Sequence, residues 1–169
     1  MGGMSYRAVV VPAEQYAQER LYAQETIDAP GPDPGDEVVL VAAVEPPVIF
    51  GLGRAVEGAR VRYTHRILDE PLPAEGLERG GSLDEATFAA VAGKVGAHHR
   101  VDADKRVWLV SLDLPIEAPT PGEAVRNFWS YVRELGPREL PTFVSPAGDE
   151  LAMQAFVLGE EANLDPEEE

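Results

Sequence analysis

Residues Gly35–Val56, GDEVVLVAAVEPPVIFGLGRAV, constrain the fold more tightly than any other part of the chain. Two apolar runs, Val38–Ala43 and Val48–Val56, are parted by Glu45-Pro46-Pro47. Runs this short and this rich in Val and Ile, bounded by Gly and Pro, read as consecutive strands. Alternation along the second puts Ile49, Gly51, Gly53 and Ala55 on one face and Val48, Phe50, Leu52, Arg54 and Val56 on the other. Two glycines on one face leave a shallow trough, in which either another part of the chain or a ligand presses close to the backbone.

The flanking sequence predicts further strands with helices spliced between them. Ser5–Val11 reads as a strand, and Pro12 suits the first turn of a helix over Ala13–Ile27, whose thin apolar content marks it as a surface helix. Asp28–Gly35 is a stiff, Pro- and Gly-rich connector. Arg60–Leu68 alternates cleanly, with Val61, Tyr63, His65 and Ile67 on one face and Arg60, Arg62, Thr64 and Arg66 on the other. After the Asp69–Gly81 loop, Ser82 with Glu85 forms a capping box for a helix that turns Leu83, Phe88, Val91 and Val95 inward. Arg106–Leu114 is a strand whose apolar side carries Trp108, Val110, Leu112 and Leu114. Thr120, Pro121 and Glu123 open a helix in which Val125, Phe128, Trp129, Val132 and Leu135 share one face, expected to be buried, before Gly136-Pro137 stops it. Leu140–Ser145 and Glu150–Leu158 flank a turn-like Pro146–Asp149, and the second segment serves equally as a strand or a short helix.

Neither an internal repeat nor a linker separates two cores, so residues 1–158 are expected as one α+β domain: a bent or closed mixed β-barrel flanked by about three helices. The tail 159–169 holds six acids and no base and is expected to be disordered. The formal net charge of −16 stays at −10 without those six acids, which argues against a general nucleic-acid binder. An acidic proteome of the halotolerant or high-GC kind gives the same balance with no functional cause. The chain has no cysteine, hence no disulfide, thiolate metal site or thiol nucleophile. No window approaches the ~18 apolar residues of a membrane span, and MGGMSYRAVVV lacks the features of a secretory signal, so a cytoplasmic location is expected.

Several residue groups invite a functional reading. Arg54, Arg60, Arg62 and Arg66, with Glu57 the one acid among them, make a basic island suited to an anionic ligand or equally to a solvated strand face. Tyr63 and His65, with Phe50, Trp108 or Tyr131 nearby, would form either a base-stacking pocket or ordinary core. His98, His99, Asp102 and Asp104 lack the spacing of a zinc site and read as a solvated loop. No GxSxG, P-loop or dinucleotide fingerprint is present, so no catalytic residues, metal or cofactor are assigned. Asp113, inside an apolar strand, is the one carboxylate whose position is unusual.

The Gly35-Asp36 entry to the Val38–Val41 strand, followed by Ile49, Gly51, Gly53 and Val56 in a "v-G-x-G-x-V" strand and then a Tyr-containing strand, resembles the PUA-like superfamily, closest to its EVE and ASCH branches. The likeness covers roughly residues 5–68 and the strand–helix pair Arg106–Leu135. It implies a small mixed barrel whose mouth binds RNA or a modified base; some ASCH members are hydrolases. An N-terminal tryptophan found in several EVE proteins is absent, Tyr6 being the nearest aromatic. The run FWSYVRELGPRELPTFVSP resembles uncharacterised actinobacterial proteins, which implies a source. Together these readings predict a non-enzymatic module binding a nucleotide-like ligand or RNA at Phe50, Gly51, Gly53, Arg54, Arg62, Tyr63, His65, Arg66 and Trp108. The alternative is a structural or interaction protein that meets a protein partner or a second copy, its glycine trough covered by the Phe128–Trp129 helix. A hydrolase of the ASCH kind comes third.

Overall fold

The computed structural model describes residues 3–96 and 105–158. The tail 159–169 and the cluster of His98, His99, Asp102 and Asp104 lie outside the described residues. The protein is α+β, with three α-helices among the described residues, and it divides into two compact units, Met1–Asp104 and Lys105–Glu169.

In the first unit the order is β1 (Tyr6–Pro12), α1 (Ala13–Glu19), β2 (Thr26–Asp28), β3 (Glu37–Ala43), β4 (Val48–Val56), β5 (Arg60–Arg66), β6 (Leu72–Pro73), β7 (Gly81–Leu83) and α2 (Glu85–Val95). The strands form one curled, mixed half-barrel sheet in the order β2-β5-β4-β3-β1-β7, with β6 also pairing with β4. β1 and β3 run parallel, which the intervening crossover through α1 and β2 permits; the other pairs are antiparallel. Both faces of the sheet are covered. Val38, Leu40 and Ala42 of β3 join Tyr16 of α1 in one core cluster, while Val39 and Val41 join Val95 of α2 in another. That two-sided burial is why β3 is an unbroken apolar run rather than an alternating one.

Several sequence expectations are corrected here. The helix predicted over Ala13–Ile27 ends at Glu19, because Thr26–Asp28 instead pairs with Arg60–Arg62 as an edge strand and buries Ile27. Sheet pairing and burial outweigh the local helix preference of the intervening residues. Ser82 is not a helix cap: Gly81–Leu83 pairs with β1, and Asp84 caps α2, its carboxylate accepting from the Thr87 N–H at 2.7 Å. Of the predicted inward set, Phe88 and Val91 pack on the core and Val95 is fully buried, while Leu83 packs there from β7.

The second unit comprises β8 (Trp108–Ser111), α3 (Pro121–Glu139), β9 (Thr142–Pro146), a 3-10 turn (Glu150–Ala152) and β10 (Gln154–Phe156). Its sheet is antiparallel, in the order β10-β9-β8. The segment after Pro146 thus combines a short helical turn with a strand. Thr120 caps α3, accepting from the Glu123 N–H at 3.2 Å, and the helix kinks at Gly136, whose φ of 69° is left-handed. The expected burial of its apolar face is not found: none of its residues is buried, and Trp129 is 63% exposed. Among the described residues no helix is long and apolar enough to cross a membrane.

Candidate functional site

Two β-bulges decide which predicted site residues meet. In the β3–β4 register Leu40 faces Gly51 and Val41 faces Ile49, leaving Phe50 as an extra residue. In the β4–β5 register Leu52 faces His65 and Gly53 faces Tyr63, leaving Thr64 extra. A bulge reverses the alternation beyond it. Ile49 therefore departs from the glycine face and packs with Leu52, while Phe50 moves onto the side of Ala55, Val61 and Tyr63. The same shift separates Tyr63 from His65, which is set opposite Leu52, and brings Arg66 over the Tyr63 ring, 4.8 Å from its centroid. The predicted shared face of Tyr63, His65 and Ile67 is thus split: Ile67 belongs to the opposite core cluster. The predicted row of Arg60, Arg62 and Arg66 is split by the same residue, Thr64.

Around Tyr63 the chain closes on itself. Tyr16 of α1 meets Phe50 at 5.1 Å between ring centroids, and Phe50 meets Tyr63 edge-on at 6.5 Å. Phe50 is fully buried and Tyr63 is 5% exposed. The glycine trough is occupied by β5. A Cβ on Gly51 would stand 2.9 Å from the His65 carbonyl oxygen and 3.0 Å from Tyr63 Cε1. A Cβ on Gly53 would collide with the Arg62 carbonyl oxygen and Val61 Cγ1.

The cluster has a polar member that sequence reasoning missed. Glu19 is 7% exposed and accepts a hydrogen bond from Tyr63 Oη at 2.9 Å. Its signal in the sequence is its spacing from Tyr16: three residues apart on a helix, the two side chains share a face. Burial pushes the Glu19 carboxyl above its ordinary range, and Asp28 adds to this, while the Tyr63 hydrogen bond and Arg66 pull the other way. Burial, and then the Glu19 charge and hydrogen bond, push the Tyr63 hydroxyl far above its ordinary value. Tyr63 therefore stays protonated and donating, a tie between α1 and β5 rather than a nucleophile. Arg66 also donates to the Gln24 carbonyl. No buried side-chain polar atom among the described residues lacks a partner.

The rest of the basic island is outward and largely paired. Arg54 contacts Glu37 at 2.6 Å and Arg60 approaches Asp28 at 3.4 Å, while Arg62 is exposed beside Arg54 in the cross-strand row. Phe50, Gly51, Gly53, Tyr63 and Arg66 are thus brought together; Arg54 and Arg62 lie on the exposed row, His65 across the sheet, and Trp108 belongs to the second unit. Asp113 is exposed. No group of His, Asp and Glu suited to a metal ion occurs among the described residues.

The second unit is the opposite case. Only Leu140 and Ser145 of residues 105–158 are buried. Of the fourteen large apolar residues exposed among the described residues, twelve lie there, including Trp108, Leu109, Val110, Val125, Trp129 and Leu151. Consecutive strand residues face opposite sides, so exposure of Trp108, Leu109 and Val110 together leaves both faces of β8 uncovered. No protein-family model, no curated protein and no solved structure matches this chain.

Proposed function

We propose that the chain is a non-enzymatic interaction module that engages a protein through the apolar surface of residues 105–158. The observation that carries this reading is the crowding of exposed large apolar side chains into that unit, twelve of fourteen among the described residues. Monomeric proteins seldom expose contiguous apolar patches beyond a few hundred Å², and larger ones mark interaction sites. The closed packing at Tyr63 adds support, because a base-stacking pocket needs a ring with a free face, and Phe50 and Tyr63 are buried. A PUA-like descent, over roughly residues 5–68 and Arg106–Leu135, rests on the Gly35-Asp36 and Gly51/Gly53 pattern, and the curled mixed sheet is compatible with it.

Both tryptophans of the chain, Trp108 and Trp129, fall in the proposed surface, so tryptophan emission reports on it alone. In dilute protein the emission is expected to be red-shifted and strongly quenched by acrylamide, with an apolar dye bound. The dye signal is expected to fall in Trp108→Ser/Trp129→Ser while tyrosine-monitored unfolding of the first unit is unchanged. Blue-shifted, quencher-resistant emission with no dye bound, from protein of single-chain mass, defeats the reading. So does salt-sensitive retention on RNA that Arg62→Ala abolishes, which would return the function to the basic row.

A further inference from the structure

We infer that the protein engaged by this surface is a second copy of the same chain, α3 of each copy lying over the β8–β9–β10 sheet of the other. This rests on reading residues 105–158 as an interaction surface.

A helix with one apolar stripe and a small sheet with uncovered faces are the two halves of a layered α/β core. Here both halves are present in one unit, and each leaves large apolar side chains exposed: Val125, Trp129 and Leu135 on α3, and Trp108, Leu109 and Val110 on β8. α3 buries none of its residues, and Phe128 and Val132 are only half-buried. The connection from β8 to α3, residues 112–120, is irregular and carries Pro115 and Pro119. Proline holds such a segment extended at about 3.1 Å per residue, giving it a reach of roughly 28 Å and resisting a tight return onto its own sheet. The other end of α3 is held to β9 by Leu140 and Pro141 alone, so the helix reaches a neighbour by its N-terminal length, and a reciprocal contact between two copies closes about a two-fold axis.

Area and charge favour a copy over other occupants. Five of the twelve exposed apolar residues are aromatic, a class that presents ~150–250 Å² per side chain when fully exposed, and with their partial exposures the twelve together present on the order of 1,000 Å². A stable interface needs about 800 Å² per partner. Elsewhere in the chain little matches such a surface: residues 3–96 expose Met4 and Tyr22 alone among their large apolar side chains, residues 159–169 hold six acids, and residues 97–104, AHHRVDAD, are mainly polar. Residues 105–158 carry five Lys or Arg against seven Asp or Glu, a net −2, while the other residues carry −14 of the total −16. Two copies meeting there bring together the least charged part of each. Their remaining like charges repel at long range, and salt screens that repulsion. Association between copies therefore tightens with added salt, the reverse of binding to a basic partner.

Sedimentation equilibrium of the full chain, run across concentration and at low and high salt, is the first arm of the test. Twice the 18.3 kDa chain mass, with dissociation suppressed by salt, is expected. Trp129→Asp is expected to weaken association by about 30-fold or more, the loss typical of a central tryptophan anchor. The second arm exploits the absence of cysteine. Val125→Cys on α3 and Val110→Cys on β8, made in separate chains and mixed, are expected to cross-link to each other with a short bismaleimide. A doubled mass in which only like variants cross-link overturns the helix-on-sheet arrangement. A single-chain mass with quencher-accessible tryptophans overturns the second copy and leaves the interaction module standing. A single-chain mass with shielded tryptophans overturns both.

Discussion

Substituting Gly53 by Ala tests whether the glycine trough is filled by the chain itself. A Cβ at that position meets the Arg62 carbonyl oxygen and Val61 Cγ1 well inside contact distance. The carbonyl is fixed by the β4–β5 ladder, and Val61 is fully buried, so neither has room to yield. Overpacking of this kind costs about 1–3 kcal/mol, offset in part by the ~0.5–1 kcal/mol that alanine gains over glycine in a regular strand. The net loss is expected near 1–2 kcal/mol. In a cooperative unit of this size, each kcal/mol lowers Tm by about 4–8 °C. Urea unfolding followed by far-UV circular dichroism is expected to show a lower midpoint at unchanged slope. Gly93→Ala is the matched control: its Cβ would meet nothing within 4 Å on helix α2, so stability should rise by ~1 kcal/mol. A Gly53→Ala protein as stable as the parent would refute the filled trough and restore an open groove beside β5.

Three other substitutions probe the same unit. Tyr63→Phe leaves the buried Glu19 carboxylate without its donor and is expected to cost about 1–3 kcal/mol at neutral pH by denaturant titration. Glu19→Gln tests the pH dependence. The folded-state pKa of Glu19 lies above the ordinary 4.5, so the folded state binds the proton more tightly. Its contribution is then full below pH 4.5 and declines as pH rises through the folded value, and the Gln variant should lack that decline in a stability–pH profile. Asp84→Ala is expected to cost ~0.5–2 kcal/mol through loss of the α2 cap, whereas Ser82→Ala should be close to neutral in the same titration.

Strand positions were legible wherever local pattern and tertiary role coincide. Val38–Ala43 and Val48–Val56 form strands as predicted, because Gly and Pro bound them and two-sided burial makes them near-continuous apolar runs. Thr120-Pro121 opens α3 because capping is a local interaction. Face assignments failed where a single residue altered the count: no composition signal marks Phe50 or Thr64 as a bulge, yet each reverses every side chain beyond it. Local pattern reads Thr26 and Ile27 as helix and Asp28 as connector, because the strand they pair with, Arg60–Arg62, lies far along the chain. At the candidate site the aromatic and glycine residues were identified, but their role as mutual packing depends on Glu19, whose partner Tyr63 is 44 positions away. The α3 stripe shows the complementary limit, since periodicity predicts an apolar face and says nothing of which molecule covers it.

The central claim is that the first unit is closed in itself while the surface of residues 105–158 awaits a partner. Amide hydrogen exchange resolved along the full chain, at high dilution and again in concentrated solution, measures this most directly. β3 and β4 are predicted to exchange only with global unfolding at both concentrations, whereas β8 and α3 are weakly protected in dilute protein and become protected on concentration. Protection of β8 and α3 equal to that of β3 and β4 in the dilute sample would contradict it.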